Sequence, residues 1–140
     1  MPFAPKGVEE ALMTRNVLIC SANDPLVTSL RLGSGQGAFR FTVCRRGMEA
    51  VQTLLALSFD GFILDLDTPG LESLFLVSIA RRIDPTLPVV AISTRPVGPV
   101  REVQQKGVVC YLVSPDSTLE LGRMIPLRAE DIGAAQHETH

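Results

Sequence analysis

Residues 60–70 read DGFILDLDTPG. Phe62, Ile63 and Leu64 run without a polar interruption into Asp65, and Asp67, Thr68, Pro69 and Gly70 follow at once. A short apolar run closed by Pro and Gly reads as a strand buried on both faces that ends in a turn. Asp65 then stands at the carboxyl end of that strand.

Working outward, four more segments read as strands: Val17-Leu18-Ile19-Cys20, Phe39-Arg40-Phe41-Thr42-Val43, Val89-Val90-Ala91-Ile92 and Val108-Val109-Cys110-Tyr111-Leu112-Val113. Four of the five are continuous apolar runs, which predicts cover on both faces. The second alternates apolar and polar residues, which predicts a half-exposed edge. Helical spacing fills the gaps. Val51, Leu54 and Leu55 share a predicted inward face, and so do Leu71, Leu74, Phe75 and Ile79. Val100 and Val103 mark a shorter helix ending near Gly107. Ser117 with Glu120 reads as a capping box for a last helix carrying Leu121, Met124 and Ile125. A first helix near Pro25 is expected to stop early, at Gly33-Ser34-Gly35-Gln36-Gly37.

Strand and helix thus alternate five times, the pattern of a doubly wound parallel sheet. The expected fold is α/β, a flavodoxin-like three-layer sandwich with strand order 2-1-3-4-5. Residues 1–15 read as an N-terminal extension, 16–125 as the domain, and 126–140 as a tail beyond the helix-breaking Pro126.

Composition narrows the function classes. Thirteen basic and fifteen acidic side chains leave a net charge of −2. No basic cluster longer than Arg45-Arg46 or Arg81-Arg82 is present, so binding to nucleic acid phosphates is not expected. No apolar run reaches the length of a membrane span, and the first fifteen residues lack the pattern of a signal peptide. Three cysteines without a CxxC fit a reduced, cytoplasmic setting in which each is a small buried hydrophobe.

In such a sheet, ligands sit at the carboxyl ends of the strands near the switch in strand order. There the chain offers Ser21, Ala22, Asn23 and Asp24 after the first strand, and Asp65, Asp67 and Thr68 after the third. Ser93 and Thr94 follow the fourth, and Ser114 and Pro115 the fifth.

Over residues 16–125 the order and spacing resemble a response-regulator receiver domain of two-component signalling, CheY-like in type. DGFILDLDTPG resembles its third strand and following loop. Gly47-Met48-Glu49-Ala50 resembles the start of its second helix, Pro88-Val89-Val90-Ala91-Ile92-Ser93 its fourth strand, and Lys106-Gly107 with Tyr111-Leu112-Val113-Ser114-Pro115 its fifth. The resemblance implies Asp65 as phosphoacceptor and Mg²⁺ as cofactor, with the backbone carbonyl of Asp67, and Asn23 or Asp24 from the first loop, beside Asp65 as metal ligands. It implies Ser93 and Tyr111 as switch residues and Ser93, Thr94 and Ser114 as phosphoryl contacts. The partners it implies are a sensor histidine kinase or other signalling proteins, or a second copy in a homodimer.

The pattern is degenerate. Receivers place two acidic residues just after the first strand; counted back from Pro25, this chain has Ala22 and Asn23 there, with Asp24 one place later. Where receivers have a lysine after the fifth strand, it has Ser114. Mg²⁺ usually draws on one or two carboxylates, so its binding is expected to be weak. A lost charge-assisted bond to the phosphoryl group costs about 1.5–3 kcal/mol. Two readings follow: a single-domain receiver phosphorylated at Asp65, or a pseudo-receiver that binds partners without phosphoryl chemistry. Neither is an enzyme beyond transfer to its own Asp65. Asp65-Leu66-Asp67-Thr68 also resembles the DxD motif of haloacid-dehalogenase-type phosphatases. Its mid-chain position, Pro69 directly after the threonine, and the lack of a downstream acidic pair argue against that family.

Overall fold

The computed structural model describes residues 14–33, 38–95 and 99–113. The expected last helix with its capping box, Ser114, Pro115, Pro126 and the glycines at 35 and 37 lie outside these.

Five parallel strands form one sheet: β1 (Arg15–Cys20), β2 (Phe39–Cys44), β3 (Gly61–Asp65), β4 (Val89–Ser93) and β5 (Val109–Leu112). Their order is β2-β1-β3-β4-β5. Four helices connect them: α1 (Asp24–Leu32), α2 (Gly47–Ala56), α3 (Ser73–Ile83) and α4 (Pro99–Gln105). This is the flavodoxin-like arrangement expected, with β2 at one edge.

Side chains alternate across each strand, and the core divides accordingly. Leu18, Cys20, Phe62, Leu64 and Ala91 meet Ala50 and Leu54 of α2, Leu76, Val77 and Ala80 of α3, and Val100 and Val103 of α4. On the opposite face, Val17, Ile19, Ile63, Val90 and Ile92 meet Val27 and Leu30 of α1. Burying an aliphatic or Phe side chain of this kind contributes about 1.5–3 kcal/mol. The continuous apolar runs of β1, β3 and β4 reflect this two-sided cover.

Three expectations are corrected. Leu55 is 70 % exposed and Phe75 48 % exposed. The inward faces are Ala50 and Leu54 on α2, and Ser73, Leu76, Val77 and Ala80 on α3. Apolar residues cover much of both helices, so their spacing left the phase open. Packing resolved it by turning small residues inward, where the helices approach closely: a Cβ on Gly47 would sit 3.4 Å from Leu76 Cδ1. In β5, Val109 and Leu112 are exposed, because this strand is the other edge of the sheet and its apolar run does not report burial.

The helix ends follow local rules. Asn23 caps α1: its side chain accepts from Leu26 N at 3.2 Å, and Asp24-Pro25 form the first turn. α4 closes at Gly107, whose φ of 79° suits a residue without Cβ. There Gly107 N donates to Gln104 O at 2.9 Å and Val108 N to Val103 O at 3.2 Å, a Schellman closure.

Candidate functional site

Register brings the polar strand ends together. Cys20 pairs with Leu64 across β1 and β3, so the next residue, Ser21, lies beside Asp65. Asp65 pairs with Ile92 across β3 and β4, which sets Ser93 at the same level. Five polar residues are buried among those described, and Ser21, Asp65, Thr68 and Ser93 are four of them. The cost of burying polar groups is met here by mutual hydrogen bonding. No buried side-chain nitrogen or oxygen among the described residues lacks a partner.

Asp65 is 2 % exposed. Its Oδ2 accepts from Ser21 Oγ at 2.7 Å and from Thr68 Oγ1 at 3.2 Å. Its Oδ1 accepts from the backbone N–H of Asp67 at 3.0 Å. Both hydroxyls also accept: Asn23 N donates to Ser21 Oγ at 3.0 Å, and Ala22 N to Thr68 Oγ1 at 3.1 Å. The loop after β1 is thereby tied to the loop after β3. That second loop turns through Pro69 and Gly70, where φ is 72°.

Asp67 is exposed and points the other way. Its Oδ2 accepts from Thr94 N at 2.8 Å and from Thr94 Oγ1 at 2.7 Å. Ser93 Oγ has one proton, lying between Asp67 Oδ1 at 3.0 Å and the Arg95 carbonyl at 2.8 Å. Burial alone would raise the Asp67 pKa. The bonds from Thr94 and Ser93, with the nearby Arg95 charge, outweigh it and hold the carboxyl below its ordinary value.

The other expected metal ligands are engaged elsewhere. Asp24 makes a two-oxygen contact with the Arg45 guanidinium, at 2.7 and 2.9 Å, and the Asn23 side-chain oxygen caps α1. An open cleft of about 410 Å³ has Ala22, Asn23, Asp24, Asp65, Asp67 and Thr68 on its wall. Among the described residues, no group of three or more His, Cys, Asp and Glu is disposed to hold a metal. Mg²⁺ asks for near-octahedral oxygen ligation, and in this cleft the side-chain oxygens of Asn23, Asp24 and Asp67 each already accept from a protein donor. Tyr111 packs half-buried against the α1-side core rather than lining this cleft.

β1 ends at Cys20, so the two residues leaving it beside Asp65 are Ser21 and Ala22. The sequence offers Ser21 as a strand-end residue without giving it a role at Asp65. Its signal was available: it is the first polar residue after an apolar run whose register with β3 sets it next to Asp65.

The chain has the fold of a response-regulator receiver domain. It is similar to a CheY-like receiver domain protein from Methanospirillum hungatei, at 15 % identity and a TM-score of 0.64, over 89 % of this chain and 98 % of that one. It is similar also to the receiver domain of a sensor histidine kinase from Pseudomonas aeruginosa, determined with magnesium in its active-site cleft. There identity is 22 % and the TM-score 0.63, over 79 % and 93 % of the two chains. A third is a response regulator from Burkholderia pseudomallei with a phosphorylated aspartic acid, at 18 % identity and a TM-score of 0.66, over 87 % and 72 %. No family model matches the sequence, and no curated protein does.

Proposed function

We propose that this chain is a receiver-type module of two-component signalling that acts by binding other signalling proteins, without a phosphoryl group on Asp65. One observation carries the reading. Both oxygens of Asp65 already accept from the protein's own donors, the Ser21 and Thr68 hydroxyls at Oδ2 and the Asp67 N–H at Oδ1. A metal-assisted phosphoryl transfer to Asp65 would have to displace a hydroxyl from a 2 % exposed carboxylate. It would also have to recruit Mg²⁺ without a second free carboxylate. Mg²⁺ binding is accordingly weak.

Partners on this reading are proteins, a histidine kinase among them, or a second copy of the chain. Val109 and Leu112 on β5 give them apolar surface to cover. The chain is a binding module rather than an enzyme, and its balance of charge speaks against nucleic acid. Free thiols at Cys20, Cys44 and Cys110 agree with a reducing cytoplasm. No helix among the described residues is long and apolar enough to cross a membrane.

The test is intact mass after incubation with acetyl phosphate and Mg²⁺. The expected result is no phosphoryl adduct at high donor concentration. An adduct on the wild type that disappears in Asp65→Asn overturns the reading and reinstates the phosphorylated receiver. The gathering of Asp65, Ser93 and Thr94 around one cleft is the observation in favour of that second reading.

A further inference from the structure

We infer that the Asp67 carboxylate is a built-in anion filling the donor set at the end of β4, so that this strand end is clamped to β3 with no added group. The inference deepens the functional reading above and rests on it, since a phosphoryl group on Asp65 would compete for the same donors.

Thr94 sends both its backbone N–H and its hydroxyl to one oxygen, Asp67 Oδ2, at 2.8 and 2.7 Å. The Ser93 proton is shared with the other oxygen. Donors converging in this way on one small volume, with the Arg95 charge nearby, suit an oxyanion: a carboxylate, a phosphate or a sulfate. Here the oxyanion belongs to the chain. It is held in place from behind, because Asp67 N donates to Asp65 Oδ1 at 3.0 Å. The buried Asp65 therefore fixes the backbone of the residue whose side chain spans to Thr94.

Two consequences follow. The residues expected to contact a phosphoryl group, Ser93 and Thr94, are already satisfied. The start of the connection from β4 to α4 is then presented to partners in one arrangement, where a free donor set would allow two. Asp67 is in this sense a positioning residue.

The experiment follows hydrogen exchange at the Thr94 amide in the ¹⁵N-labelled full chain, with inorganic phosphate as the probe anion and chloride at equal ionic strength as control. In the wild type this amide is protected and indifferent to phosphate. In Asp67→Ala its exchange rises at least about tenfold, the scale set by losing one hydrogen bond to a charged group. Phosphate at tens of millimolar then restores part of the protection, which chloride does not. Asp67→Asn keeps an acceptor oxygen without the charge, and its Thr94 exchange falls between the two. Equal Thr94 exchange in wild type and Asp67→Ala overturns the inference. So does a phosphate effect of the same size in both proteins, or none in Asp67→Ala. The two readings fail separately: a phosphoryl adduct on Asp65 sinks the functional reading, whereas an unprotected Thr94 with no adduct sinks the clamp alone.

Discussion

Asp65 and Asp67 leave the same strand two residues apart, and their surroundings set them to different work. Asp65 is turned into the protein, where Ser21 and Thr68 close over its Oδ2 and the chain's own N–H takes its Oδ1. Asp67 stands in solvent contact and reaches across to Thr94 on the neighbouring strand end. Bonds in the first set are shielded from water, so losing one leaves a buried group unpaired. Bonds in the second are open to water, which can replace them. The contrast shows how a receiver-like strand end can keep its carboxylate and use it to hold loops together.

The largest expected effect tests the buried member. Asp65→Ala strips the acceptor from the hydroxyls of Ser21 and Thr68 and should lower unfolding stability by about 3 kcal/mol, while Asp65→Asn should cost about 1. Guanidinium unfolding of both variants beside Asp67→Ala measures this. If Asp65→Ala costs no more than Asp67→Ala, the distinction between a sealed and an open carboxylate is lost.

A second effect probes the dry wall behind Ser21. The Cys20 thiol is pushed up to about 12, first by burial and then by the Cys44 thiol and the Glu49 and Asp65 carboxylates. A thiol with a folded pKa above its unfolded value of 9.0 contributes stability that is complete below that pH. The contribution is lost as the pH rises toward 12. Stability should therefore fall by about 1.4 kcal/mol per pH unit on this account. Cys20→Ala should flatten the decline in unfolding midpoint between pH 8 and pH 10.5. An equally steep decline in that variant would mean that the wall is wetter than its burial indicates.

The smallest effect lies at the open rim. Arg45 and Asp24 are 62 % and 68 % exposed at the side chain, where a surface pair contributes little. Arg45→Ala should cost under about 0.5 kcal/mol, and less at high salt. A larger loss, insensitive to salt, would make the rim part of the sealed side.

The sheet was legible because its signals are local. Apolar runs at Val17–Cys20, Phe62–Leu64 and Val89–Ile92 cannot be placed anywhere but between two layers, and the alternation at Phe39–Val43 marked the edge. Leu55 and Phe75 were misread for a different reason. Where a helix carries apolar residues around most of its surface, periodicity leaves its rotation undetermined, and close packing then turns Ala50, Ser73 and Ala80 inward. In the cleft, Asp65, Ser93 and Thr94 were found from strand ends alone. Ser21 stood among the same strand ends, but that its hydroxyl closes over Asp65 follows only from the register of β1 with β3. That Asp24 would face Arg45 was not readable from adjacent residues, because Arg45 arrives from another loop.

By itself, the order of apolar and polar residues determined that the chain would form a parallel sheet with a carboxylate at the end of its central strand. Burial preference and strand period are properties of short stretches, and they survive without knowledge of the rest. Only the tertiary structure decided what that carboxylate touches. Hydrogen-bond partners 26 to 46 residues away are chosen by register and loop geometry, to within a few tenths of an ångström, and no short stretch encodes them. Asp65 was thus placed by the sequence, and its enclosure by Ser21 and Thr68 was settled by the fold.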